Sequence, residues 1–530
     1  SYRQTIHAYP NGGGAYVVAK HNLGELPALV AAAALLIDYV LTVAVSVAAG
    51  VAALTSALPD WHVGRVPLTL GFVALLTLGN LRGIRDSGRI FALPTYFFIV
   101  SILALIGVGA WRVWLGAALP VTAPDPMTSL GAPVTLFLLL TAFSNGCTAM
   151  TGVEAVSNGV PAFRPPEARN AAATMLTMAA LSIAMFVGIT LLARAYAVVP
   201  SMSETVVSQI ARGVFDGRGL GYFLVQAATM LILVLAANTA YADFPRLASI
   251  LARDGYLPRQ LMNQGDRLAF SNGILWLSVC AGVLLVIHAG DTHSLIPLYM
   301  IGVFLSFTVS QAGMVRHWQR LKSRGWTTNA IVNGAGALVT GVVLIVVAVT
   351  KGQEGAWIVL VLIPVYVLFF RMVHHHYATV AAQLALTAGR EGASERRGNV
   401  VLVPISGVHQ AVLQALDYAK TLSPEIRAVC VDLDAASTKR IETDWPRWNK
   451  DVPLVVLDSP YRSLMEPLLE YIGCVERQRP DSFVTIVVPE FIPARWWHHL
   501  FHNQSALLMK GELLFRPNVV VTSVPFHLTR

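Results

Sequence analysis

Apolar residues fill the first 373 positions in long blocks separated by short polar stretches. The blocks cover about 26–58, 66–81, 91–114, 133–157, 171–196, 219–240, 273–289, 294–315, 330–350 and 355–373. A helix crossing a bilayer needs roughly 20 apolar residues, so the pattern predicts ten membrane helices, with 66–81 short for the task. From Gly398 the period changes. β-Branched runs at Val400–Pro404, Arg427–Leu433, Leu454–Leu457, Phe483–Val488 and Val519–Val524 alternate with helical stretches near 407–421, 461–477 and 494–513. Such alternation predicts an open, mainly parallel α/β sheet covered by helices on both faces. The chain therefore divides into a membrane domain at 1–373, a linker at 374–397 and an α/β domain at 398–530.

Within the first block the polar positions are not scattered. Asp38, Thr42 and Ser46 follow i, i+4, i+8, and Tyr39, Thr42 and Ser46 follow i, i+3, i+7, so all four oxygens lie along one side of a helix. A charge at membrane depth costs at least about 2.5–3.5 kcal/mol on insertion scales and must face protein or a water-filled path. Hydrogen bonding between packed helices accounts for Thr42 and Ser46 alone. It does not account for Asp38, and an oxygen-only stripe suits a small hard cation.

Three further segments carry candidate chemistry. In Asn145–Gly159 the glycines Gly146, Gly152 and Gly159 interrupt an apolar run that also holds Thr151 and Glu154, three residues apart. A helix broken at mid-membrane frees backbone carbonyls for ion coordination. The alternative for Glu154 is an interfacial ion pair with Arg164 or Arg169. Tyr299 lies in an apolar run behind Pro297, where packing competes with a pathway role. Asn238 is a second pathway candidate near the end of the 219–240 block, which Pro245 and Arg246 are expected to close. Gly12-Gly-Gly lacks the GKS/T of a phosphate loop and reads as a turn or a flexible gate.

Composition fixes the solvent. Charged residues make up 13% of the chain and hydrophobic residues 55%, with a mean hydropathy of +0.59, whereas a soluble domain carries about 25% charged residues. The net charge of +8 does not indicate nucleic acid, because the basic residues sort by connection. With the first span running from inside to outside, Arg82, Arg85, Arg89, Arg316, Arg320, Lys322 and Arg324 fall in inner connections, and 115–132 and 289–293 carry none. That bias puts the tail in the cytoplasm. Trp318 and its basic neighbours then face anionic lipid. Four scattered cysteines exclude a disulfide framework, and His374-His-His and Trp496-Trp-His-His lack the acidic or Cys partners of a metal site. Nothing points to an enzyme or to a cofactor.

Asp38–Gly50 and Thr151–Pro161 resemble the corresponding segments of KimA-type potassium importers, a branch of the amino acid–polyamine–organocation superfamily. Tyr9–Tyr16, Asn80–Gly83, Ala240–Leu247 and the Tyr299 segment are similar as well, so the resemblance runs the whole length. It implies a LeuT-type inverted-repeat fold and proton-coupled potassium uptake in the cell inner membrane. It also implies a homodimer formed through the cytosolic domains. It puts Asp38, Tyr39, Thr42, Ser46, Thr151, Glu154 and Tyr299 in the potassium path, with Asp38 and Glu154 as candidates for charge compensation or proton linkage. It further implies that two helices precede Ser1 and supply part of the site. The tail resembles universal-stress-protein-like domains, in which Val403–Val408 would form a strand-to-helix turn able to receive a nucleotide regulator. Two other readings stand beside this one: a proton-coupled amino-acid permease of the same fold, and a membrane-anchored nucleotide sensor.

Overall fold

The computed structural model describes residues 1–9, 14–58, 61, 64–82, 88–117, 119–121, 135–148, 152, 156, 160, 163–201, 203–262, 270–385, 398–460, 463–492 and 504–528. They fall into two compact units, Ser1–Ala385 and Leu386–Arg530.

The first unit is helical: α1 (Tyr2–Ala8), α2 (Gly14–Asn22), α3 (Glu25–Ala57), α4 (Arg65–Leu81), α5 (Gly88–Trp114), α6 (Leu136–Cys147), α7 (Glu167–Ala195), α8 (Val206–Val214), α9 (Leu220–Arg253), α10 (Ser271–Ile287), α11 (Thr292–Leu321), α12 (Trp326–Thr350) and α13 (Trp357–Leu384). Among the described residues seven helices are long and apolar enough to cross a membrane, and α4, α6 and α10 are shorter apolar helices. The most apolar window of α3 is 83% buried and that of α11 72%, against 11–28% in the other five long helices. So α3 and α11 form the centre, and the rest present apolar surface outward, as lipid requires. Residues 26–58 and 66–81 form helices within one residue of the expected limits.

The 133–157 block is interrupted, as its glycines imply: α6 stops at Cys147, and Gly152 has φ +87°, a left-handed backbone. Two expectations change. Pro245 and Arg246 do not end α9, which continues to Arg253. The proline ring is instead packed against Gly273 of α10, where a Cβ would come within 2.9 Å of it. The linker expected from residue 374 starts inside α13, which carries the three histidines through to Leu384.

The second unit is a five-stranded parallel sheet in the order β3-β2-β1-β4-β5. The strands are β1 (Gly398–Ile405), β2 (Ile426–Asp432), β3 (Leu454–Asp458), β4 (Ser482–Ile492) and β5 (Val519–His527). Alternation along β1 sets the two faces. Val401, Val403 and Ile405 join a core with α14 (Gln410–Leu422) and α15 (Ala435–Trp448), whereas Val400 and Leu402 join α16 (Met465–Gln478) and α17 (Gln504–Leu513). Helix α15 was not expected. Its signal is Asp434 capping the amide of Ser437 at 3.1 Å, followed by Thr438, Ile441 and Trp445 on one buried face. A charge-rich sequence with Pro446 near its end hid that face.

Candidate functional site

The oxygen stripe lies on the central helix. Asp38 is 1% exposed, Tyr39 is buried, and Thr42 and Ser46 are partly buried. A residue with a branching side chain opposite Asp38 would hold the neighbouring helix away, but the facing position is Gly302 of α11. A Cβ built there would lie 3.1 Å from the Ala34 carbonyl oxygen and 3.5 Å from Asp38 Cβ. Tyr299, also buried, is one turn before Gly302 on the same face of α11. The fold thus brings Asp38 and the Tyr299 segment to one interface although 260 positions separate them. Next to it, Thr148 at the end of α6 donates to Met300 Sδ at 3.4 Å, so the interrupted segment starts beside Tyr299. Thr151 and Glu154 lie outside the described residues, as do Gly12, Gly13 and the Trp496–His499 run.

Asn238 has a defined partner. Its side-chain oxygen accepts a 2.7 Å hydrogen bond from Asn80 Nδ2 on α4, whose amide also donates to the Leu76 carbonyl. One turn away, Thr77, Tyr241 and Ser278 form a hydroxyl triangle with sides of 2.7–3.2 Å between α4, α9 and α10. These groups clamp helices together where apolar side chains would provide no direction. Asn238 belongs to that clamp.

Toward the C-terminal end of α3 the stripe continues as Ala49, Ala53 and Ser56, each three or four residues from the last. Together with Ala52 they form one wall of a cavity of about 290 Å³, closed by Arg65, Ser201, Glu204, Thr205, Thr229 and Asp291, among others. A polar strap covers it. The Thr205 amide donates to Ser56 Oγ at 3.1 Å, and Tyr222 Oη donates to the Ser56 carbonyl at 3.0 Å. Glu204, almost wholly buried, accepts from Ser208 Oγ at 2.9 Å and from Arg212 at 3.2 and 2.9 Å. Thr205 caps the Ser208 amide and so starts α8 where the strap needs it. Sequence reasoning missed this assembly. Its one local signal is the Glu204–Ser208–Arg212 spacing of i, i+4, i+8.

At the N-terminal end of α3 a second network holds α2 to the end of α9. Asp254 accepts from Tyr16 Oη at 2.6 Å and pairs with Lys20 Nζ at 2.7 Å. A cavity of about 190 Å³ lies among Tyr16, Lys20, Glu25, Ala28, Leu29 and Tyr256. Tyr256 stacks on His374 with ring centroids 4.6 Å apart. Burial raises the phenol of Tyr16, and the hydrogen bond to Asp254 adds to the effect. Burial, with the Glu25 carboxylate beside it, pushes Tyr256 up to about 12. Among the described residues no cluster of three His, Cys, Asp or Glu forms a metal site. In the tail, Ser406, Gly407 and His409 follow the C-terminal end of β1, between β1 and β4, where the chain order of the sheet reverses. Such a switch point is the position at which doubly wound sheets receive ligands.

The arrangement is a transport-like one: a buried carboxylate midway along the central helix, with a cavity at each end. Residues 5–370 match the amino acid permease family. Residues 396–526 match the KimA potassium transporter C-terminal domain. Over 535 aligned residues the chain is 46% identical to the potassium transporter KimA of Bacillus subtilis (strain 168), covering 100% of this chain and 87% of that protein.

Proposed function

We propose, from the premise that the chain belongs to the amino acid permease family and to its KimA potassium transporter branch, that it is a secondary transporter importing potassium. The observation that carries the reading is the packing of Asp38 against Gly302, one helical turn from Tyr299, where the two most buried long helices among the described residues meet. A carboxylate supplies charge there, while hydroxyls of Tyr39, Thr42, Ser46 and Tyr299 replace part of the ion's hydration shell. Thr151 and Glu154 are proposed to complete this wall from the interrupted segment. Protons are the proposed coupling ion, with Asp38 and Glu154 as the linked carboxylates. The LeuT-type inverted repeat, the cytoplasmic side of the tail in a cell inner membrane, a universal-stress-protein-like tail and dimerisation through it belong to the same proposal. With that orientation the 290 Å³ cavity faces outward and the Tyr16–Asp254 network faces inward.

Asp38→Asn in the full-length protein tests the site. At an effective dielectric constant of ~20, a unit charge pair about 4 Å apart is worth ~4 kcal/mol. Even half of that weakens apparent affinity by about 30-fold. The variant should therefore fail to support growth of a potassium-uptake-deficient host at limiting potassium and recover partly when potassium is abundant. Normal growth at limiting potassium sinks the assignment. Uptake of labelled amino acids by proteoliposomes, without potassium-dependent proton flux, would favour the permease reading instead.

A regulatory nucleotide on the tail is the finer part of the reading, supported by the Ser406–His409 turn at the sheet's switch point. Titration of the full-length protein with ATP and cyclic dinucleotides, followed calorimetrically, tests it. Absence of heat leaves the tail a dimerisation module.

A further inference from the structure

The geometry points to Gly302 as the spacer that sets the width of the cation site, and through it the preference among monovalent cations. The inference rests on the reading of Asp38 and Tyr299 as site residues. A Cβ at position 302 would stand 3.1 Å from the Ala34 carbonyl oxygen, 3.5 Å from Asp38 Cβ and 3.7 Å from Asp38 Cα. The nearest obstacle is backbone, which cannot rotate out of the way as a side chain can. Adding one methyl group therefore requires α3 and α11 to part or turn by a few tenths of an ångström. That exceeds the step in ionic radius from potassium to rubidium. Both edges of the site ride on these helices, Asp38 directly opposite and Tyr299 one turn along. Because α3 and α11 are the two most buried long helices, the displacement is transmitted through packed neighbours rather than absorbed at a lipid face. Where cavity size contributes to selectivity, such a widening favours the larger ion.

The same helix provides a control. A Cβ at Gly313 would lie 2.9 Å from Val18 Cγ1 and 3.4 Å from the Val18 carbonyl oxygen, so it crowds a stiff β-branched side chain of α2 and leaves Asp38 alone. Competitive uptake of potassium and rubidium by the full-length protein in liposomes reads the difference. Gly302→Ala is expected to raise the rubidium-to-potassium ratio about fivefold, equivalent to ~1 kcal/mol. Gly313→Ala is expected to slow both ions with the ratio unchanged. A parental ratio in Gly302→Ala, or an equal shift in both variants, overturns the spacer role. Lack of any potassium uptake by the unsubstituted protein would refute the transport reading itself.

Should Gly302→Ala fail to accumulate in the membrane, Asp38→Glu addresses the same gap from the other helix. Its readout is the thermal stabilisation that each cation gives to detergent-purified protein, which needs no transport. A longer carboxylate narrows the site, so sodium should gain on rubidium. An unchanged ion order, or no response to any cation, overturns the proposal.

Discussion

Deleting Arg212 should strand a charge that the structure otherwise keeps buried. The Glu204 side chain is 5% exposed and its partner Arg212 29%. Removing one member of a buried pair costs ~3–5 kcal/mol, because the remaining charge has lost its hydration without compensation. Arg212 is partly wet, and water entering its place screens some of that penalty, which leaves about 2–3 kcal/mol for Arg212→Ala. Adding Glu204→Gln removes the stranded charge and leaves only lost hydrogen bonds, at about 1 kcal/mol. The double variant should therefore be more stable than the single one. Thermal unfolding of detergent-purified protein, followed by size-exclusion fluorescence, ranks the unsubstituted protein, Arg212→Ala and the double variant. The expected order is unsubstituted, then double, then Arg212→Ala. A double variant no more stable than Arg212→Ala would show that Glu204 is not stranded and would refute the reasoning.

Ala53→Trp places an indole in the 290 Å³ cavity and should abolish potassium uptake while leaving the elution profile normal; undiminished uptake would remove that cavity from the path. Tyr256 holds its proton up to about 12 in the folded protein, against about 10 when unfolded. Its stabilising contribution is complete below pH 10 and is lost as pH rises toward 12, so Tyr256→Phe should flatten the alkaline decline in melting temperature. Equal slopes in the two proteins would contradict this. Asn238→Ala should cost about 1 kcal/mol and Asn80→Ala more, because Asn80 also donates to the Leu76 carbonyl, while the double variant should cost little more than Asn80→Ala, since both substitutions delete the same Asn80–Asn238 bond. Apparent potassium affinity should not change if the pair only holds the helices together, and an affinity change confined to Asn238→Ala would place that residue in the pathway.

The membrane helices were legible because lipid imposes a single rule, a continuous apolar run, and the chain obeys it at α3 and α4 almost to the residue. The stripe was legible because helical periodicity is local. What periodicity cannot supply is the neighbour. That Gly302 rather than a larger residue faces Asp38 is a property of two helices whose facing residues are 264 positions apart, and nothing around Gly302 announces it. Asn238 was ambiguous for the same reason, since its role depends on Asn80 of another helix. The continuation of α9 past Pro245 shows a local rule yielding to context, with Gly273 leaving room for the ring. In the tail all five strands were legible from β-branched runs, whereas α15 has its apolar face spread thinly among charges. The strap over the cavity was missed because its members are ordinary polar residues until the fold brings Ser56 and Tyr222 beside them.

The placement of Asp38 on the central helix has a consequence for biogenesis. Helix α3 leaves the ribosome well before α11, whose Gly302 faces the carboxylate and which is not begun until about 230 residues later. At elongation rates of roughly 5–20 residues per second that interval lasts about 10–50 s. Throughout it, the nascent protein carries an acidic group at membrane depth without the helix that will enclose it. The order of genes cannot shorten this wait, because both helices belong to one polypeptide. Insertion machinery must therefore retain α3, or shelter it among α4 to α10, until translation delivers its counterpart.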